Sequence, residues 1–303
     1  MEDDSKRTLA VTNILHLTDF SNCSETALRW AAAIARANQA ELSVLHVLVP
    51  DMLARLTPDS FSAALELQEK RAQWEMRRIG TQVEDSPHQT IIARGEDVWS
   101  VVEAKQKELG SDLIVLGTHG RTGLNKLFLG SVAERVLRRS TVPVMTVGPE
   151  VAPALECDGK FHRVLLATNL APGAAAAADY ATAVAQRDQA ELVLLHACKA
   201  AKKAKSEKFS ELSVAEVFHR LDELVGPADK LRRPPETLVE FGDAGTQILE
   251  VARRKKADLI VMGVRKAGSL LAATHLEMGT THNVVAHAPC PVVTVRPSLR
   301  DAA

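Results

Sequence analysis

Aromatic residues are scarce in this chain: only 4% of its 303 residues are Phe, Trp or Tyr, with a single tyrosine. No apolar run approaches the roughly 20 residues that a membrane helix requires. The acidic start, Met-Glu-Asp-Asp, has no apolar segment behind it of the kind found in secretion signals. The formal net charge is −1, so no overall field attracts nucleic acid or an anionic membrane. We therefore expect a cytoplasmic protein with no nucleic-acid or membrane partner.

Cysteine is also rare, and the 4 cysteines form no Cys-x-x-Cys pair and no Cys/His pair at zinc spacing. Reduced thiols and no metal site are the expectation, in keeping with a cytosolic location. The chain also lacks the Gly-x4-Gly-Lys-Ser/Thr loop of many ATPases and GTPases. Nothing in the sequence shows the metal-holding carboxylates and positioned base expected of a phosphoryl-transfer enzyme. We expect a binding protein rather than an enzyme.

What the chain does contain is an internal duplication. Residues 39–46 read QAELSVLH and residues 189–196 read QAELVLLH. Further matching pieces recur in the same order: DLIV at 112–115 and at 258–261, and PVMTV at 143–147 as PVVTV at 291–295. Matching pieces in a fixed order indicate tandem copies. We predict one domain at 1–148, a linker at 149–161 and a second domain at 162–303.

Within each copy, apolar strands alternate with helices. In the first copy the predicted strands are 12–18, 42–48, 89–93, 112–116 and 143–147. The predicted helices are 21–37, 59–80, 97–109 and 131–139. This alternation predicts an α/β fold, with two tandem doubly wound domains, each a five-stranded parallel sheet flanked by helices. In such a sheet the ligand crevice lies at the carboxyl ends of the strands.

A glycine-rich loop follows the fourth strand of the first copy. Residues 117–131 read GTHGRTGLNKLFLGS, directly after the apolar run LIVL at 113–116. Glycine allows backbone N–H groups to approach a ligand closely, because no Cβ intervenes. The start of a helix adds unpaired N–H donors and a favourable dipole for anions. A strand, a glycine loop and a Gly-Ser pair that opens a helix together predict a phosphate-binding site.

The pattern Gly-x2-Gly-x9-Gly-Ser resembles the nucleotide-binding signature of universal stress proteins. The segments LTDFS at 17–21, LHV at 45–47 and VPV at 142–144 resemble the same family. The resemblance covers the chain twice. It implies a tandem universal stress protein that binds ATP in its first domain, as a ligand or a switch in the stress response, and leaves open whether Mg²⁺ accompanies the nucleotide.

The resemblance also implies roles for individual residues. Asp19 would contact the adenosine moiety, and the main chain of Val47 would meet the adenine edge. The phosphate-loop positions would be Gly117, Gly120, Gly130, Ser131 and Val132. From its chemistry alone, Arg121 would either pair with a phosphate or remain a solvated loop residue. Simpler roles stay open: Asp19 could cap the first helix, and the glycines could serve a tight turn without a ligand.

The second copy departs from this signature. Lys266 replaces the second glycine, and the spacing from there to Gly279 is three residues longer than in the first copy. Asn169 replaces the aspartate after the first strand. The pair Gly279-Thr280 retains some capacity to bind an anion. We nevertheless expect one nucleotide site per chain, in the first domain.

The last strand of each copy would be an exposed sheet edge in an isolated domain, and such edges attract partners. The family resemblance implies that these strands pair the two copies as an internal pseudo-dimer, and it leaves further homodimerisation open. Two alternative functions remain: an interaction module that binds no nucleotide, and a slow ATPase or self-phosphorylating protein. An adenylyl transferase is disfavoured, because the loop after the first strand has no His-x-Gly-His segment.

Overall fold

We describe the protein from a computed structural model. The described residues are 11–49, 58–120, 129–153, 158–171, 173–198, 213–225, 231–264 and 275–297. They divide into two compact units, the first ending at Lys160 and the second beginning at Phe161. Each unit repeats the predicted alternation of strands and helices.

The first unit is a doubly wound α/β domain. Its elements are β1 Asn13–Leu17, α1 Asn22–Asn38, β2 Glu41–Leu48, α2 Pro58–Gln82, β3 His88–Arg94, α3 Val98–Glu108, β4 Leu113–Gly117, α4 Ser131–Arg139 and β5 Val144–Val147. The strand order is β3-β2-β1-β4-β5, and each neighbouring pair is parallel. The chain moves outward in opposite directions from β1 and β4, so the point where the order reverses lies between these two strands. The predicted five-stranded parallel sheet is confirmed.

Helix α1 illustrates how local sequence produces this architecture. Ser21 lies in an extended conformation before the helix, and its hydroxyl accepts a hydrogen bond from the Ser24 N–H at 3.3 Å. The apolar residues of α1 then recur at helical spacing and are fully buried, as Ala27 and Ala31 show. The helix ends at Asn38, and the left-handed backbone of the next residue, Gln39 (φ 55°), turns the chain into β2. This short turn aligns β2 beside β1.

The second unit has the same topology. Its elements are β6 Arg163–Ala167, α5 Ala174–Asp188, β7 Glu191–Cys198, α6 Val214–Val225, β8 Glu236–Phe241, α7 Ala244–Lys255, β9 Leu259–Gly263, α8 His275–His287 and β10 Val292–Val295. The order within this unit is β8-β7-β6-β9-β10, again with parallel neighbours. The duplication extends to side-chain contacts. Asp112 accepts the N–H of Thr12 at 2.7 Å, and Asp258 accepts the N–H of His162 at 2.7 Å.

The residues that follow β5 pack against α1 of the first unit. The indole Nε1 of Trp30 donates to the Ala152 carbonyl at 3.2 Å. At Gly159, which has φ +77°, an added Cβ would lie 2.0 Å from the Ala33 carbonyl oxygen. Only glycine fits this position. The limits of the linker, 149–161, stay a prediction.

Within the described residues no helix is long and apolar enough to span a membrane. Among the described cysteines, Cys23, Cys198 and Cys290 form no disulfide bond with one another. Cys290 is buried, and burial places its pKa far above the ordinary range. Cys157 lies outside the described residues.

Candidate functional site

A tight turn at the end of β1 holds Asp19. The Asp19 carboxylate Oδ1 accepts the N–H of Ser21 at 3.0 Å, and the Thr18 hydroxyl accepts the N–H of Phe20 at 3.1 Å. Phe20 has φ 63°, a left-handed conformation that is uncommon for a bulky residue. These bonds fix the carboxylate beyond the end of the sheet, between β1 and the start of α1. Ser21, rather than Asp19, caps α1, because the Ser21 hydroxyl meets the helix N–H.

The main chain of Val47 faces the same end of the sheet. In a strand with parallel neighbours on both sides, successive residues form their main-chain hydrogen bonds alternately with one neighbour and with the other. Leu45 accepts from Thr18 N at 2.9 Å, and Leu48 accepts from Gly95 N at 3.1 Å on the other side. Val47 therefore directs its N–H and C=O groups toward the β1 side, where β1 has already ended at Leu17.

Gly117 and Gly120, the first two glycines of the loop, exclude a side chain for different steric reasons. At Gly117 an added Cβ would lie 2.7 Å from the Cys23 carbonyl carbon and 2.8 Å from the Ser24 N, because α1 begins directly against the end of β4. At Gly120 an added Cβ would lie 2.9 Å from Asp19 Oδ2. Gly117 is thus needed for packing of the fold, whereas Gly120 allows the loop to approach the carboxylate.

Gly130 occupies the position before the first residue of α4. Its own N–H donates to the Thr118 carbonyl at 2.8 Å, and its carbonyl accepts from Glu134 N at 2.9 Å. No side-chain cap covers this helix start. The N–H groups of Ser131, Val132 and Ala133 therefore remain as the donors that a helix start leaves without helical partners. The sequence motif did not indicate the Ala133 N–H as a donor. The Ala133 side chain is buried and carries no polar group, so the residue type gave no hint of this role.

His119 is tied into the loop by contacts that explain its position without catalysis. Its Nδ1 lies 2.7 Å from the Thr118 hydroxyl, and its carbonyl accepts from the Ser21 hydroxyl at 3.2 Å. The Ser21 bond joins the glycine loop to the turn after β1. Arg121 lies outside the described residues.

Two aromatic side chains, from the segments LTDFS and LHV, meet at this edge of the sheet. The rings of Phe20 and His46 stack with centroids 4.2 Å apart. The His46 Nδ1 lies 2.8 Å from the Thr18 carbonyl, to which it donates. In the second unit, His196 Nδ1 lies 2.9 Å from the Thr168 carbonyl. Because both copies keep this bond, we interpret it as a structural support for the turn.

Cys23 lies in the first turn of α1, beside the same loop. Burial raises the pKa of its thiol, an effect that the nearby Asp19 charge reinforces and that hydrogen bonds with His119 and Thr118 partly oppose. A thiol with a raised pKa is a poor nucleophile at neutral pH. The described residues also contain no group of three or more His, Cys, Asp or Glu side chains arranged to hold a metal ion.

The second unit keeps the turn but not the helix start. Asn169 Oδ1 accepts Ala171 N at 3.1 Å, and Leu170 has φ 55°, so an amide reproduces the turn around Asp19 without its charge. Helix α8 begins at His275, which places Gly279 in its second turn. The Gly279 N–H therefore belongs to the helical hydrogen-bond ladder and is not available at a helix start. The anion-binding capacity considered for Gly279-Thr280 has no support in this geometry.

The fold and this edge of the sheet define a doubly wound α/β protein, a class in which ligands bind where the strand order reverses. The model of the universal stress protein family matches residues 11–148 and again residues 160–296. The chain belongs to the universal stress protein family, as two copies in tandem.

Individual relatives agree with this assignment. A universal stress protein of Mycolicibacterium smegmatis is 27% identical over 301 residues, which cover 94% of this chain and 97% of that protein. Universal stress protein MJ0577 of Methanocaldococcus jannaschii is 32% identical over 153 residues, 44% of this chain and 93% of that protein. A solved universal stress protein of Archaeoglobus fulgidus has a TM-score of 0.70 at 23% identity, covering 95% of this chain and 99% of that one. This last similarity supports the fold alone.

Proposed function

We propose that the first domain binds ATP, in a crevice between the turn at Asp19 and the glycine loop. The observation that carries this proposal is the approach of Gly120 to Asp19, where an added Cβ would lie 2.9 Å from Oδ2. The residue expected to contact adenosine and the loop expected to hold phosphate therefore line one space. A carboxylate accepts hydrogen bonds from ribose hydroxyls or an adenine amino group.

The start of α4 supplies the phosphate end of this proposed site. The N–H groups of Ser131 and Val132 have no helical partners there, and the adjoining residue is a glycine without a side-chain cap. Partial positive charge at a helix start favours an anion. Gly117 and Val47 belong to the proposed set, with Gly117 acting through the packing of the loop, and a role for Arg121 in pairing with a phosphate stays a prediction.

The comparison between the two copies supports a ligand-directed role for the Asp19 charge. Asn169 makes the same turn with an amide oxygen, so the turn itself requires an acceptor and not a negative charge. The negative charge of Asp19 therefore exceeds what the turn requires, which supports a role in recognition. We accordingly propose one nucleotide per chain, bound by the first domain.

In this proposal the nucleotide acts as a ligand or switch in a stress response, with Mg²⁺ as an accompanying ion where the phosphates require one. The cytoplasmic location and the absence of efficient catalysis stay predictions. Slow hydrolysis, or transfer of a phosphoryl group to the protein, is the second candidate. Steady release of phosphate over many turnovers from purified protein, above the rate without protein, would favour it.

The test uses two reciprocal substitutions, Asp19→Asn and Asn169→Asp. ATP affinity is measured by calorimetry, and nucleotide released on denaturation is identified by mass spectrometry. We expect Asp19→Asn to weaken ATP binding by about tenfold or more, since a hydrogen bond to a charged group contributes about 1.5–3 kcal/mol. The matched control, Asn169→Asp, should leave affinity and stoichiometry unchanged.

Two results would overturn the proposal. The first is wild-type protein that releases no nucleotide and shows no heat of binding with ATP and Mg²⁺. The second is binding that Asp19→Asn leaves intact. The first result would favour the interaction module that holds no nucleotide, and the second would show that nucleotide binding does not depend on the Asp19 charge.

A further inference from the structure

Large apolar side chains that are exposed to solvent are concentrated at one edge of each domain. Among the described residues the exposed large apolar side chains are Leu67, Trp74, Val132, Val214, Phe218 and Phe241. Apart from Val132, all lie on α2, on α6 or on the edge strand β8. Helices α2 and α6 are equivalent in the two copies, since α2 precedes β3 and α6 precedes β8. Exposed apolar side chains that cluster in this way mark an interaction surface.

The exposed face of α2 combines apolar and basic side chains. Leu67 is 70% exposed and Trp74 is 58% exposed, seven residues apart and therefore on one face of the helix. Arg71 and Arg77 lie three residues before and after Trp74, on the same side of the helix, and both are exposed. Neither arginine has an ion pair with another described residue, whereas Lys70 is paired with Glu66 at 2.6 Å. We call Leu67, Arg71, Trp74 and Arg77 the basic stripe.

The exposed face of α6 combines apolar and acidic side chains. Val214 is 46% exposed and Phe218 is 38% exposed, one helical turn apart. Asp222 continues this face by one more turn, with Glu223 beside it. Over the exposed residues of α6, the acidic Glu216, Asp222 and Glu223 outnumber the single Arg220. We call Val214, Phe218, Asp222 and Glu223 the acidic stripe.

Phe241 lies on the same face of β8 as Thr237, a residue that contacts α6. The Thr237 hydroxyl, in the first half of β8, donates to Asp222 Oδ1 at 3.3 Å. A crossover helix runs opposite to the strands that it joins. The end of β8 is therefore directed toward the start of α6, and Phe241, which is 58% exposed, extends the apolar surface there.

We propose that the basic stripe of one molecule binds the acidic stripe of a second copy of this chain. Each stripe offers two large apolar side chains for burial, and the charges of the two stripes are opposite in sign. Trp and Arg are the residues most enriched among those that dominate binding energy at protein interfaces. Opposite charges beside an apolar contact set its orientation and exclude partners of like charge. Each molecule carries both halves of the contact.

The test is the oligomeric state of the full chain, measured by sedimentation velocity over a concentration series at low salt. We expect the wild type to shift with concentration from the 32.8 kDa monomer to a larger species. Added salt should weaken this association, because it screens the exposed charges. Trp74→Ser should raise the dissociation constant about tenfold or more. Trp74 is exposed, so far-UV circular dichroism and the melting temperature should stay unchanged in this variant.

A charge exchange identifies the two surfaces. Arg71→Glu with Arg77→Glu should abolish association, and adding Asp222→Lys with Glu223→Lys in the same chain should restore it. The matched control, Arg29→Glu with Arg36→Glu, makes the same change in net charge on the exposed side of α1 and should leave association unchanged.

Three outcomes would overturn the proposal. One is a wild type that remains monomeric at every concentration. Another is an association that none of the stripe variants weakens. The third is a loss of association in the arginine variant that the exchanged charges on α6 fail to restore, since another surface would then be the partner of the basic stripe.

Discussion

At the scale of single residues, His16 is an unusual occupant of the core. It lies in β1 and is fully buried, at the position where the second domain has Leu166 in β6. Neither ring nitrogen has a hydrogen-bond partner among the described residues. Burial lowers the pKa of His16 to about 4, and smaller effects of the Val115 backbone and the Asp19 charge oppose this shift. The folded domain therefore holds a neutral imidazole.

This pKa predicts a loss of stability in acid. The unfolded chain binds a proton on His16 near pH 6.5, whereas the folded chain binds it near pH 4. Between these values the unfolded state holds more protons, so the free energy of unfolding decreases as the pH falls. The contribution of His16 to this decrease should be about 3 kcal/mol over the whole window.

The variant His16→Leu, which introduces the residue found at this position in the second domain, isolates this contribution. Unfolding by urea is followed at pH 7 and near pH 4, with the wild type measured alongside to account for titrating carboxylates. We expect the variant to lose less stability than the wild type between the two pH values. Equal losses in the two proteins would show that His16 does not titrate as its burial implies.

At the scale of elements, the contact between the end of β4 and the start of α1 depends on glycine. Gly117 has backbone atoms of Cys23 and Ser24 within 2.8 Å of where a Cβ would lie, whereas at Gly263 the nearest atom is Ala177 Cβ at 3.7 Å. Gly117→Ala should destabilise the first domain by about 1–3 kcal/mol through overpacking. Gly263→Ala should change the stability of the second domain by less than about 0.5 kcal/mol. Urea unfolding measures both, and similar effects of the two variants would contradict the packing argument.

The two helices that follow the glycine loops, α4 and α8, differ in where they begin relative to their glycine. Gly130 lies before the first residue of α4, and Gly279 lies within α8. Gly130→Leu should remove ATP binding, because the leucine side chain would enter the space in front of the N–H groups at the start of α4. The added Cβ alone would lie 3.3 Å from the Thr118 carbonyl oxygen. Gly279→Leu should leave binding unchanged, since an added Cβ there meets nothing within 4 Å. Calorimetry measures both. A stoichiometry of two that Gly279→Leu halves would refute the single-site proposal.

At the scale of the whole molecule, the distribution of aromatic residues allows the domains to be observed separately. All 3 tryptophans, Trp30, Trp74 and Trp99, belong to the first domain, and the single tyrosine, Tyr180, belongs to the second. Tryptophan fluorescence therefore reports unfolding of the domain that we propose to bind ATP. Circular dichroism reports both domains.

Ligand binding should stabilise one domain selectively. ATP at about 100 times its dissociation constant should add about 2.7 kcal/mol to the stability of the domain that holds it. We expect the tryptophan transition to move to higher urea concentration, while the tyrosine signal of the second domain moves little. An equal shift of both signals would indicate a second nucleotide or strong coupling between the domains.

Much of the fold was predictable from the sequence because its signals are local. The predicted helix 131–139 coincides with α4, and the predicted strands of the first copy match β1 to β5 within a few residues. The universal stress protein family is confirmed for both copies. The pairing of the copies as an internal pseudo-dimer stays a prediction.

The sequence by itself determined the duplication, the alternation of strands and helices and the family, because repetition, apolar periodicity and glycine spacing are properties of the chain read in order. Only the tertiary structure decided which glycine packs against the start of α1 and which approaches Asp19. Gly120 meets Asp19, and Gly117 meets Cys23, across about a hundred intervening residues. The structure also decided that Gly279 lies inside a helix, because the point where a helix begins depends on the packing around it as well as on its own residues.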